Sequence, residues 1–174
     1  ELKVTVNPKR GLTEPNYANN DLSVTAHFGV CKTFKIGYVK VGYEDEDLLL
    51  WPTGRVHTGH HFAQRALPIA NEGFNYYYWG DLEWPHPLDS QADGIALLKT
   101  LATLRHLGLG PTPEYLVGWT AQLNLAWAAG LAWLGGREAW VSDYTSPDSA
   151  GVIFAHELTH MVGRNHATET TAGM

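Results

Sequence analysis

A single cysteine, Cys31, stands in 174 residues. No disulfide can close within the chain, and cysteine usage leaves the redox compartment open. Charge is sparse, at 17% of residues against a hydrophobic fraction of 44%, which is ordinary for a soluble globular protein. Basic residues are outnumbered, with 12 Lys and Arg to 18 Asp and Glu and a net charge of −6. Nucleic acid or an anionic membrane needs a concentrated basic surface, so neither is expected as a partner. No run approaches the roughly twenty apolar residues that span a bilayer. The most apolar stretch, Leu123 to Leu134, is too short and is broken by Gly130. Internal repeats and low-complexity tracts are also missing, and no secretory leader is read in this sequence. The chain opens Glu1-Leu2-Lys3 without an initiator methionine, and is read as a processed protein or an excised piece of a longer one.

What is present in quantity is aromatic surface and histidine. Seven Trp and eight Tyr suit a sheet with broad buried faces, and the length suits one well-packed domain with a little left over. The densest chemistry lies at Ala155-His156-Glu157-Leu158-Thr159-His160-Met161-Val162-Gly163-Arg164-Asn165-His166. His156 and His160 are four residues apart, so on a helix both imidazoles leave one face, a turn apart. That spacing lets two ring nitrogens meet one Zn²⁺ at about 2.0–2.1 Å. A third ligand from the next turn would crowd the first two. Gly163 can take the left-handed conformation that ends a helix, so the chain can bend and bring His166 back to the metal. Three neutral nitrogens leave the fourth tetrahedral position open for water, the arrangement of a catalytic zinc. Glu157, beside the first ligand, can reach that water and take its proton. The plainer reading, an amphipathic core helix with histidines on its polar side, leaves Gly163 and His166 unexplained.

The pattern HExxHxxGxxH, filled here at every specified position, resembles the signature of the metzincin zinc endopeptidases. Met174, eight residues after His166, is similar in spacing to the methionine turn of the matrix-metalloprotease branch. Gly130-Leu131-Ala132-Trp133-Leu134-Gly135-Gly136 resembles the rim strand and turn of the adamalysin branch. The wording Gly163-Arg164-Asn165-His166-Ala167 is similar to large secreted bacterial metzincins. The resemblance implies a secreted peptidase with one catalytic zinc on His156, His160 and His166, and Glu157 as general base. It implies that Gly130, Leu131, Ala132 and Trp133 pair with substrate backbone as an edge strand, where an internal strand is the plainer alternative. Met174 would pack beneath the metal without ligating it. The family continues past the methionine turn, so a truncation there is expected, with further domains in a longer chain. Two other readings stay open: a binding or adhesion module that keeps the metal, and a zinc amidase.

Residues 1–33 read as a β lead-in or the tail of an upstream immunoglobulin-like module, with alternating runs at Leu2 to Val6 and Leu22 to Phe28. Residues 34–174 read as the catalytic domain. The expected class is mixed α/β, a twisted mixed sheet packed with helices, with the active-site helix near the C-terminus. Phe34, Ile36, Tyr38, Val39 and Val41 mark its first strand. Glu44-Asp45-Glu46-Asp47 reads as a solvated loop, because a Ca²⁺ loop needs alternating ligands and a turn glycine. Residues 61–68 suggest a short helix closed by Pro68, and Phe74 to Leu82 a strand covered on both faces. Asp89 or Ser90 can cap a helix running to Gly108, with His106 as a structural residue in its last turn. Strands are expected at 115–119, 129–133 and 138–142. Ser146-Pro147-Asp148 should start the last helix, with Phe154, Leu158, Met161 and Val162 on its core side.

Two further features invite metal chemistry. His57, His60 and His61 could form a second metal site or a surface patch, but Gly59 interrupts a regular helix and no acid or cysteine accompanies them. Cys31 could cap the zinc as a propeptide thiolate. Its neighbours lack the flanking pattern of such a segment, so a buried small hydrophobe is expected.

Overall fold

The computed structural model describes residues 2–5, 9, 11–13, 15–18, 20–24, 33–45, 48–53, 55–67, 69–70, 72–108, 111–121, 128–143 and 147–165. The chain divides into two compact units, Glu1–Cys31 and Lys32–Met174. In the first, β1 (Leu2–Thr5) pairs antiparallel with β2 (Asp21–Val24), Leu2 opposite Val24. Between them the Ala18 N–H donates to Asn16 Oδ1 at 2.9 Å, the side-chain-closed turn that Asn favours. Cys31 lies outside the described residues.

The second unit is a six-stranded mixed sheet with helices on both faces. Its elements in order are β3 (Phe34–Asp45), β4 (Leu48–Leu50), a 3₁₀ turn (Arg55–His57), α1 (His60–Ala66), β5 (Phe74–Trp84), α2 (Gln91–Leu107), β6 (Tyr115–Thr120), β7 (Gly130–Ala132), β8 (Glu138–Ser142) and α3 (Pro147–Met161). Strands β5, β3, β6 and β8 run parallel. Strand β4 pairs antiparallel with the end of β3 and β7 antiparallel with β8, so that β5 and β7 stand on the two outer sides among the described residues. The mixed α/β class read from the sequence is the one observed.

Side-chain alternation sorts the core. Ile36 and Tyr38 of β3, Val117 and Trp119 of β6, and Ala139 and Val141 of β8 pack with α1 and α3. Val39, Val41, Leu116 and Trp140 point the other way, onto Leu97, Leu98 and Leu101 of α2. This is the period-two geometry of a strand buried on both faces. The α2 start is closed by a capping box between Ser90 and Asp93, and its end by Gly108 at φ +65°. Arg105 Nε donates to Glu138 Oε1 at 2.6 Å, and the Trp140 indole N–H donates to the Gly94 carbonyl. Both bonds fasten α2 to β8.

Several boundaries differ from expectation. The acids at Glu44 and Asp45 continue β3 rather than forming a loop, because Tyr43–Asp45 pair with Leu50–Leu48 in a hairpin. A bulge opposite Tyr38/Val39 inserts an extra residue in β5, so its even-numbered side chains switch faces. Tyr76 packs toward α3, while Leu82 and Trp84 pack toward α2. Strand β5 has β3 as its sole neighbour among the described residues, and Tyr78 is 50% exposed. It is therefore an outer strand of the sheet, with Phe74 and Tyr76 packed on one face and Trp79, Leu82 and Trp84 on the other. Val162 lies beyond the end of α3 and is exposed rather than core. Among the described residues no helix is long and apolar enough to cross a membrane.

Candidate active site

Helix α3 forms because Pro147 suits a first turn and its apolar residues recur at helical spacing. Phe154, Ala155, Leu158 and Met161 are buried against the sheet and α1. Val152, Ile153, His156, Glu157 and His160 form a second stripe at one- and three- to four-residue steps, and all line a cavity of about 600 Å³. That is the size range of small-ligand and peptide pockets. The opposite wall is Ala128, Ala129, Gly130, Leu131, Ala132 and Leu134, and Asn165 completes the described lining.

The helix stops where its sequence requires. Gly163 sits at φ +84°, and the Arg164 N–H donates to the Thr159 carbonyl while the Gly163 N–H donates to the His160 carbonyl, each at 2.8 Å. This is a Schellman closure. The Gly135 N–H also donates to the His160 carbonyl at 2.8 Å, tying the β7–β8 turn to the helix end beside the cavity.

The reversal places Arg164 over the last turn, and its carbonyl lies 2.8 Å from His160 Nδ1. A carbonyl only accepts, so Nδ1 carries the proton and donates. The neutral ring then presents its lone pair at Nε2. That Nε2 lies 3.1 Å from His156 Nε2. Two nitrogens bound to one tetrahedral Zn²⁺ stand roughly 3.3 Å apart, so the pair fits a shared cation. The backbone acceptor behind His160 is the outer-shell support that metal-binding histidines use.

Glu157 faces the same cavity yet is 5% exposed. Burial raises its carboxyl from the ordinary 4.5 to about 7. A base poised near neutrality can both take and return a proton. The carboxylate lies against β7, whose Gly130, Leu131 and Ala132 sit opposite Val141, Trp140 and Ala139 of β8. No strand lies beyond β7 among the described residues, so it is an edge and not an internal strand. Trp133 follows the strand and is 41% exposed.

No family model matches the chain, and no curated protein matches it in sequence. Solved structures do match. One is a chain from a chaperone–substrate complex, with a TM-score of 0.56 at 14% identity, covering 83% of this chain and 29% of that one. The chain therefore spans well under half the length of that protein. Another is archaemetzincin from Methanopyrus kandleri, with a TM-score of 0.50 at 21% identity, covering 79% of this chain and 77% of that one. Similarity at these identities is similarity of fold. This chain is similar in fold to archaemetzincin, and its own α3 and β7 line one cavity.

Of the residues singled out in the sequence, His156, Glu157, His160, Gly130, Leu131 and Ala132 meet at one cavity. His166 and Met174 lie outside the described residues. Among the described residues no cluster of three His, Cys, Asp or Glu side chains could hold a metal, neither the second histidine group nor, with His166 outside those residues, the set His156, Glu157 and His160. His57 Nδ1 pairs with the Tyr38 hydroxyl at 2.6 Å, and His60 stacks on Tyr76 at 4.5 Å. Burial, then the neighbouring His61, lowers the His60 pKa to about 4, so that ring is neutral packing. The sequence reading missed Val152, Ile153, Leu134 and Asn165 as cavity walls. For the first two the signal was available, since they precede His156 and Glu157 by one helical turn.

Proposed function

We propose that the chain is the catalytic part of a zinc-dependent endopeptidase, secreted and forming part of a longer protein. The observation that carries this reading is the convergence of His156 Nε2 and His160 Nε2 to 3.1 Å beside a buried Glu157. His156 and His160 would hold the metal, with His166 as third ligand by the sequence pattern. A bound Zn²⁺ would supply Lewis acidity, acidifying water and polarising an acyl oxygen.

The remaining work falls to this chain's own groups. Glu157 accepts a proton from water as it attacks the carbonyl carbon, then returns it to the leaving amine. Burial leaves the carboxylate little hydration to shed before it acts. The edge of β7 gives an extended peptide a backbone ladder to join, and such pairing tolerates many sequences. Side-chain preference then comes from the walls. Leu134 and Val152 flank the cavity and are 57% and 47% exposed. The ionisable residues among its described lining are His156, Glu157 and His160. A bulky apolar substrate side chain is favoured against Leu134 and Val152, because those walls offer a charged one no partner.

Glu157→Ala separates binding from chemistry. Peptide hydrolysis should fall to background while the zinc content is unchanged. Retained hydrolysis would remove Glu157 from this role, and loss of zinc with it would make the residue a ligand rather than a base.

A further inference from the structure

Gly130 stands where the edge strand passes nearest to α3. A Cβ built on it would meet Glu157 Cγ, Glu157 Oε1 and Ile153 Cγ2, each at 3.0 Å. Comfortable carbon contacts lie near 3.5–4.0 Å, so a side chain here requires Glu157 or Ile153 to give way by a few tenths of an ångström. Backbone conformation does not itself call for glycine, because Gly130 is absent from the glycines with positive φ. Alternation agrees: Ala132 packs on the α1/α3 side of the sheet and Leu131 on the α2 side. Residue 130 therefore faces α3, and the space left by its missing Cβ is occupied by the Glu157 side chain.

We infer that Gly130 is a positioning residue for Glu157, its bare Cα forming the seat against which the carboxylate rests. Ile153, one helical turn before Glu157, borders the same space, its Cγ2 also 3.0 Å from a Cβ built on Gly130. A methyl group at 130 displaces the carboxylate or pushes the strand off the helix. Either change alters the distance between the proton acceptor and a substrate held along β7. What the carboxylate does there rests on the peptidase reading; where it sits does not.

Two measurements separate these. With zinc-loaded chain and a fluorogenic peptide, Gly130→Ala should lower kcat by about tenfold to a hundredfold, the scale of an ångström-sized misplacement. KM should stay within about twofold, and zinc content should be unchanged. Adding Ile153→Ala, which enlarges the same space, should restore part of kcat. A loss carried by KM, or by zinc, or an unchanged kcat, overturns the inference.

The second measurement needs no turnover. In the metal-free chain, the melting-temperature loss caused by Gly130→Ala should be smaller in a Glu157→Ala background than in the wild type. A Gly130→Ala chain that folds only when Glu157 is also truncated gives the same answer. Equal losses in both backgrounds overturn the inference. Absence of any wild-type hydrolysis would refute the peptidase reading alone, leaving the melting comparison to decide the role of Gly130.

Discussion

Glu157 carries the most unfavourable local electrostatics in the site, and its cost is measurable. Its carboxyl titrates at about 7 when folded against 4.5 ordinarily, because burial disfavours the charged form. Between these values the folded chain holds more protons than the unfolded one. The contribution to stability is therefore full below about pH 4.5 and lost as pH rises through 7, a total of about 3 kcal/mol. Denaturant titrations of the metal-free chain should show this decline, and Glu157→Gln should flatten it across that window. A second prediction concerns the ligands. His160→Ala removes the ring whose Nδ1 is held by the Arg164 carbonyl and whose Nε2 faces His156, so zinc affinity in a competitive chelator titration should fall by at least about a hundredfold. His57→Ala, on a ring bonded to Tyr38, should leave that affinity unchanged.

Among the elements, the end of α3 determines whether the sequence following it can turn back toward the metal. Gly163 has open space around its Cα but a φ of +84°, so Gly163→Ala costs backbone strain alone, roughly 1–2 kcal/mol. Melting temperature should report that cost, and zinc affinity should fall with it as the reversal shifts. This helix was legible in the sequence because every requirement was local: a proline start, helical apolar spacing, two histidines a turn apart and a glycine stop. The α2 helix was legible for the same reason, through Ser90, Asp93 and Gly108. The outer position of β5 was not, because Tyr76, Tyr77, Tyr78 and Trp79 have the same composition whether a strand is central or outer. The bulge that switches its faces depends on register against β3. The seat at Gly130 was hidden too, since a glycine in a short strand does not say which side chain from a distant helix fills its space. Val162 was misassigned by extending the apolar spacing of α3 one residue past the end of the helix.

At the scale of the whole second unit, the sheet separates support from chemistry. The buried Arg105–Glu138 pair belongs to the α2 face, while His156, Glu157 and His160 line a cavity on the α3 side. Replacing Glu138 by Gln leaves a buried guanidinium without its counter-charge and should cost about 3 kcal/mol. Calorimetry should find that loss, with zinc stoichiometry unaltered in the protein that stays folded. In this chain α3 and β7 line one cavity, and the donors on that helix turn the frame into a metal-site hypothesis. The most direct measurement is metal content of the purified chain, with His156→Ala and His166→Ala beside it. One equivalent of zinc, sharply weakened by either substitution, is the predicted result. A chain that binds no zinc, or binds it equally well without His166, would contradict the account.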